Sequence, residues 1–147
     1  MYGILLGTHN ALAWIVLLIG GLVLARAMTR SATWADADTG LVRRFTLVVH
    51  LQLVAGLGLY FMSPAVAAAR ASMGDAMKDP VQRRLVVEHP FLMVLAVVAA
   101  TVSGVLVRKA VGSPAKAKRA LVGTLVTLAL IAAVIPWQRL VTKWTVG

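Results

Sequence analysis

The sequence predicts an all-α fold: an integral membrane four-helix bundle, up-down-up-down, with a short interfacial helix between the second and third spans. Three observations predict it. Of the 147 residues, 60% are hydrophobic and 14% are charged, whereas a soluble domain is about half apolar and a quarter charged. The mean hydropathy is +0.86, which excludes a disordered chain. The apolar residues gather in four long runs, and most of the cations stand between them. The whole chain, 1–147, reads as one domain.

The first run covers 4–25 and the second 41–62. The third covers 85–107, interrupted by Glu88-His89-Pro90, and the fourth covers 120–137. About 20 apolar residues in a helix cross the hydrocarbon core. The first three runs reach that length and the fourth lies near the lower limit. Backbone groups in lipid must bond within their own segment, so the runs are helices. The period-2 alternation of a membrane barrel is not evident. No basic residue precedes the first run, so it makes a poor signal peptide and begins the first helix.

The 2–3 connection is the one long loop. Ser63-Pro64 and Asp79-Pro80 each read as an N-cap followed by a first-turn proline. Pro64 to Met77 is therefore expected as a helix on the outer surface, with the third helix starting near Pro80. Gly112-Ser113-Pro114 breaks the chain between the third and fourth spans.

The formal charge is +10, from 15 Lys+Arg against 5 Asp+Glu. In a soluble chain that would suggest nucleic acid. Beside apolar runs, the simpler partner is an anionic lipid headgroup, and no nucleic-acid partner is expected. The 1–2 and 3–4 connections carry nine of the cations and the opposite side six. The positive-inside rule then places both termini outside a bacterial cytoplasmic membrane. Tyr2, Tyr60, Phe61 and Trp137 fit anchors at the outer interface. With no cysteine, disulfides and thiolate metal sites are excluded.

All three histidines, His9, His50 and His89, fall within spans. An ionisable side chain there points by default to function. His9 and His89 both sit a turn or more inside the outer boundary, roughly 6–9 Å deep at 1.5 Å per residue. Two imidazoles at one depth on two helices are what bis-histidine ligation of a haem requires. Below His9 on its stripe lie Ala13, Val16 and Gly20. Below His89 lie Met93, Ala96, Ala100 and Gly104. Small residues let helices or a flat porphyrin approach closely, and they equally serve plain helix packing. Ala13, Ala96 and Met93 are thus candidate cofactor contacts, although methionine is commonly core filler.

Pro90 removes a backbone donor and frees a carbonyl one turn earlier, where helix 3 must aim its histidine inward. Glu88 could orient an imidazole or exchange protons with a quinone. It could equally pair with Arg84 at i, i+4 spacing. His50 lies near mid-membrane, about 200° around the helix from Gln52. It is expected to make an interhelical hydrogen bond or to border a quinone.

Several of these residues form short motifs: His9-Asn10 with Trp14, Gln52-Leu53 through Gly56 to Leu59-Tyr60, and Glu88-His89-Pro90 with Met93. In these the chain resembles a family of small bacterial membrane proteins with four helices. Ala13 stands where that family suggests Arg, and His50 where it suggests Asp. His9 and His89 match. The resemblance implies the fold and brings no activity with it. The plan is also similar to compact four-helix cytochromes b, an architectural likeness only.

Two functions compete. One is electron transfer through a single haem b held by His9 and His89, with quinone or another redox partner. The other is a cofactor-free accessory or structural subunit of a larger membrane complex or homo-oligomer. A transporter is disfavoured by the lack of a charged midplane site and of an inverted repeat. The charge bias predicts that a reporter fused at Gly147 is active only on the outer side; activity in the cytoplasm would reverse the orientation.

Overall fold

The computed structural model describes residues 1–135 and is helical throughout apart from short connections. The elements are α1 (Tyr2–Thr29), α2 (Asp36–Met62), α3 (Pro64–Ala71), α4 (Met73–Ala76), α5 (Pro80–Arg83), a π segment (Arg84–Glu88), α6 (His89–Lys109) and α7 (Ser113–Val134). α1, α2, α7 and the continuous stretch Pro80–Lys109 are long and apolar enough to span a membrane. They form a ring in which α1 packs on α2, α2 on α6, α6 on α7, and α7 back on α1. α1 and α6 therefore stand on a diagonal.

The inner faces follow three-and-four spacing. On α2 the buried seam is Asp38, Val42, Phe45, Val49, Gln52 and Ala55. On α6 it is Met93, Ala96, Ala100, Ser103, Gly104 and Val107. Residues three or four apart share one helix face, so each helix offers a narrow seam inward. The outer faces remain strongly apolar, with Leu18, Leu47, Val54 and Val98 all more than half exposed. A protein that leaves such residues outside matches a lipid surround, where apolar surface has no reason to hide.

The spans are longer than their apolar cores. α7 starts at Ser113, not at 120, because Gly112 turns the chain with φ +83 and Pro114 occupies the first turn. A left-handed φ suits glycine, which has no Cβ to clash. Pro136 and Trp137, the expected end of the fourth span, lie outside the described residues.

The 2–3 connection is not one helix. It breaks at Ser72 into α3 and α4. Ser63 caps α3 by accepting from the Val66 amide, and Asp79 caps α5 by accepting from the Val81 and Gln82 amides. Those amides hold the Asp79 carboxyl below its ordinary pKa. The contribution is therefore present above the usual aspartate range and fades as pH falls through the lowered value. Val66, Ala69 and Ala76 are buried against Val86, with Tyr60 and Leu85 beside them. The segment is thus a packed cap over one end of the bundle.

At the other end, Asp38 is 2% exposed and accepts from Arg26 at 3.2 Å and from the Ala35 amide at 3.0 Å. The second bond is half of a capping box. Ser113 donates to the Trp34 carbonyl at 3.1 Å, tying the α1–α2 turn to the start of α7.

α6 approaches α7 closely at Ser103 and Gly123, where a Cβ on Gly123 would collide with the Ser103 side chain. Gly123→Ala is expected to destabilise by about 1–3 kcal/mol as overpacking. Adding Ser103→Gly should recover part of that loss in thermal unfolding of the detergent-solubilised protein.

Candidate functional site

His89 opens α6 directly after the π segment. The cause is local. Pro90 lacks an amide hydrogen, so it cannot bond the Val86 carbonyl in the α register, and its ring would press on that carbonyl. The chain widens to π geometry over Arg84–Glu88. The Val86 oxygen instead accepts from the Tyr60 hydroxyl at 3.2 Å. Tyr60 is thus tied inward to the π segment instead of standing only as an interface anchor. The Arg70 guanidinium sits over its ring at 5.4 Å.

The widened turn also changes the partner of Glu88. Residues five apart share a face in a π turn. Arg83 donates to Glu88 at 2.7 Å, and Arg84 approaches the other oxygen only to 3.9 Å. The expected i, i+4 pair with Arg84 is therefore secondary.

The diagonal helices bring His9 and His89 together. Their ring centroids lie 6.3 Å apart with the planes at 66°. The two rings therefore stand at one level of the bundle. Two imidazoles sharing one metal, with metal–nitrogen bonds of roughly 2 Å, have centroids about 6 Å apart. Both rings are half-buried. Ala13 is half-buried on the His9 stripe, while Ala96 and Met93 are buried on the His89 stripe.

The polar partners define each ring further. His89 Nδ1 lies 3.4 Å from the Val134 carbonyl. A carbonyl only accepts, so Nδ1 carries the proton and Nε2 keeps a lone pair. That is the arrangement a metal-binding histidine adopts. His9 Nε2 lies 3.4 Å from the Gln52 amide nitrogen. His9 Nδ1 and Gln52 Oε1 are both buried without a hydrogen-bond partner. Buried polar atoms left open in this way call for an explanation such as a ligand or water. A Cβ on Gly56 would stand 3.2 Å from His9 Cε1, so the glycine makes room for the ring.

Gln52 belongs to one of the sequence motifs but was not among the candidate site residues. Its signal was its place on the Val42–Phe45–Val49 seam, which turns it inward while His50 turns outward. Asp38 lies on the same seam and carries the same signal.

His50 is exposed on the bundle surface. Its Nδ1 donates to the Thr46 carbonyl at 2.8 Å, and the Thr101 hydroxyl of α6 lies 3.4 Å from its Nε2. Thr101 is 13 residues along the chain from Glu88, about 20 Å at helical rise. His50 and Glu88 therefore do not share one site.

Among the described residues, no group of three or more His, Cys, Asp or Glu gathers as a metal site. Among the described residues, the histidine pair is the candidate donor set that the fold brings together. Comparison with protein-family models, with curated proteins and with solved structures returns no match.

The contacts predict different costs for the two α2 residues around His9. Gln52→Leu removes one long interhelical bond and should cost less than about 1 kcal/mol. Gly56→Leu forces a side chain into the ring and should cost about 1–3 kcal/mol. Thermal unfolding in detergent checks the order, and the reverse order would contradict a ring seated by shape.

Proposed function

We infer that the protein is a small electron-transfer protein of a bacterial cytoplasmic membrane, holding one haem b between His9 and His89. The observation that carries this reading is the meeting of two imidazoles from diagonal helices at a separation that suits one shared metal. The donor set fits the group. His89 presents a lone pair on Nε2 through its Val134 contact, and the His9 Nε2 lone pair, which the Gln52 amide approaches only to 3.4 Å, would turn to the metal. Neutral imidazoles are the axial ligands of b-type haem.

The iron would supply one-electron chemistry. The chain supplies the rest. Val134 and Gln52 orient the rings, Gly56 leaves room beside His9, and the apolar spans keep the surrounding dielectric low. The charge bias supports an outer-leaflet location for the pair, with both termini outside. A quinone near Glu88, or separately near the mid-membrane His50, is the redox partner this reading favours.

A second reading has its own support. The same Gln52 and Val134 contacts already engage both rings, as polar glue between spans would. On that reading the protein is a cofactor-free subunit whose apolar outer faces dock other membrane chains or further copies.

Oxidised and dithionite-reduced spectra of the purified protein separate the two. Haem ligation predicts a low-spin b-type spectrum. It is lost in His9→Ala and in His89→Ala while circular dichroism shows the helices intact, and it is retained in His50→Ala. Colourless protein from haem-replete cells overturns the cytochrome reading and leaves the subunit.

A further inference from the structure

A groove of about 800 Å³ runs along the outer side of the α6–α7 pair. It exists because Ser103 and Gly123 bring the two helix backbones close, so the larger side chains on either side stand away as walls. Leu95 and Leu130 line its deep end, Ala99 lies along it, and Leu106 stands near its mouth. Lys118 and Arg119 complete the lining at that mouth, and no acidic residue joins them. The Arg119 guanidinium donates to the Leu106 carbonyl at 2.9 Å. That bond satisfies one of the last carbonyls of α6 and pins the charge over the groove. The remaining guanidinium donors stay available, and the Lys118 ammonium beside it is exposed.

The dimensions match a lipid tail. Leu95 to Leu106 is eleven residue steps of helix, about 16 Å of rise. One leaflet of a bilayer whose hydrocarbon core is about 30 Å thick spans roughly 15 Å. An apolar channel of one leaflet's depth, ending under two cations, is complementary to one amphiphile with a negative head.

We propose that this groove is a binding site for an anionic phospholipid, one acyl tail lying between α6 and α7 and its phosphate on Lys118 and Arg119. The site is independent of the histidine pair, which lies toward the other end of α6. It differs from general attraction of lipid to the basic loops because it needs both the channel and these two cations. The neighbouring cations Arg108, Lys109 and Lys116 do not line the groove.

Native mass spectrometry of the full chain in detergent tests it, with phosphatidylglycerol and phosphatidylcholine as probes and inorganic phosphate as competitor. The site predicts one phosphatidylglycerol retained in preference to phosphatidylcholine. Lys118→Gln should weaken retention about fivefold, the scale of one cation near an anionic headgroup. Lys109→Gln removes the same charge outside the groove and should leave retention unchanged. Ala99→Phe fills the channel, keeps both cations, and should abolish the preference. Three results would overturn the proposal: equal weakening by both lysine variants, retention unaffected by Ala99→Phe, or full displacement by inorganic phosphate. The first means diffuse attraction, and the other two mean a site for the head alone.

Discussion

A bilayer core offers no hydrogen bonds, so every polar group on an inward seam must find its partner inside the protein. That constraint organises this bundle. Apolar side chains cannot drive the helices together, because lipid tails are as apolar as leucine. What fixes the register is the small set of polar crossings and close backbone contacts. Thr46 donates to the Ala100 carbonyl and joins α2 to α6. Asp38 holds Arg26 and joins α2 to α1. Ser103 sits in the notch of Gly123 and joins α6 to α7. The His9, Gln52 and His89 group is a further crossing, and like the Ser103 and Thr124 hydroxyls it keeps buried polar atoms without a partner.

The way His89 is presented depends on a backbone defect. Pro90 disables the α register, the chain opens into a π segment, and two consequences follow. Tyr60 takes up the freed Val86 carbonyl, which anchors α2 and the α3–α4 cap to this point. Glu88 swings to Arg83, which neutralises a carboxylate just before the histidine. π segments are rare and often mark functional positions. Here the segment sets the direction from which an imidazole enters the bundle.

Much of this was legible in the sequence, because length and hydropathy are direct consequences of the solvent. Four runs of sufficient length dictate four helices. Counting 1.5 Å per residue from the ends of the first and third runs was enough to put His9 and His89 at one level of the bundle. The inward stripe from Met93 to Gly104 followed from spacing alone. Other features depend on what hydropathy does not report. α7 begins at Ser113 because helices continue through polar interface residues once capped. The break at Ser72 splits a segment that local propensity reads as one helix. The preference of Glu88 for Arg83 requires the π turn; Pro90 signals a disturbed register there, but hydropathy does not say that the turn widens. Gln52 was overshadowed by His50 two residues earlier, although its spacing from Val49 and Phe45 already turned it inward.

The account rests on the contact between two particular imidazoles, and the chain has three histidines in all. That makes the contact directly observable. In protein labelled with ¹³C and ¹⁵N only at histidine and reconstituted in bilayers, solid-state spin-diffusion spectra should contain one inter-residue imidazole cross-peak. It should join His9 and His89 and vanish on His9→Gln. A spectrum with no such cross-peak, or with one that involves His50, would contradict the diagonal pairing and every functional statement built on it.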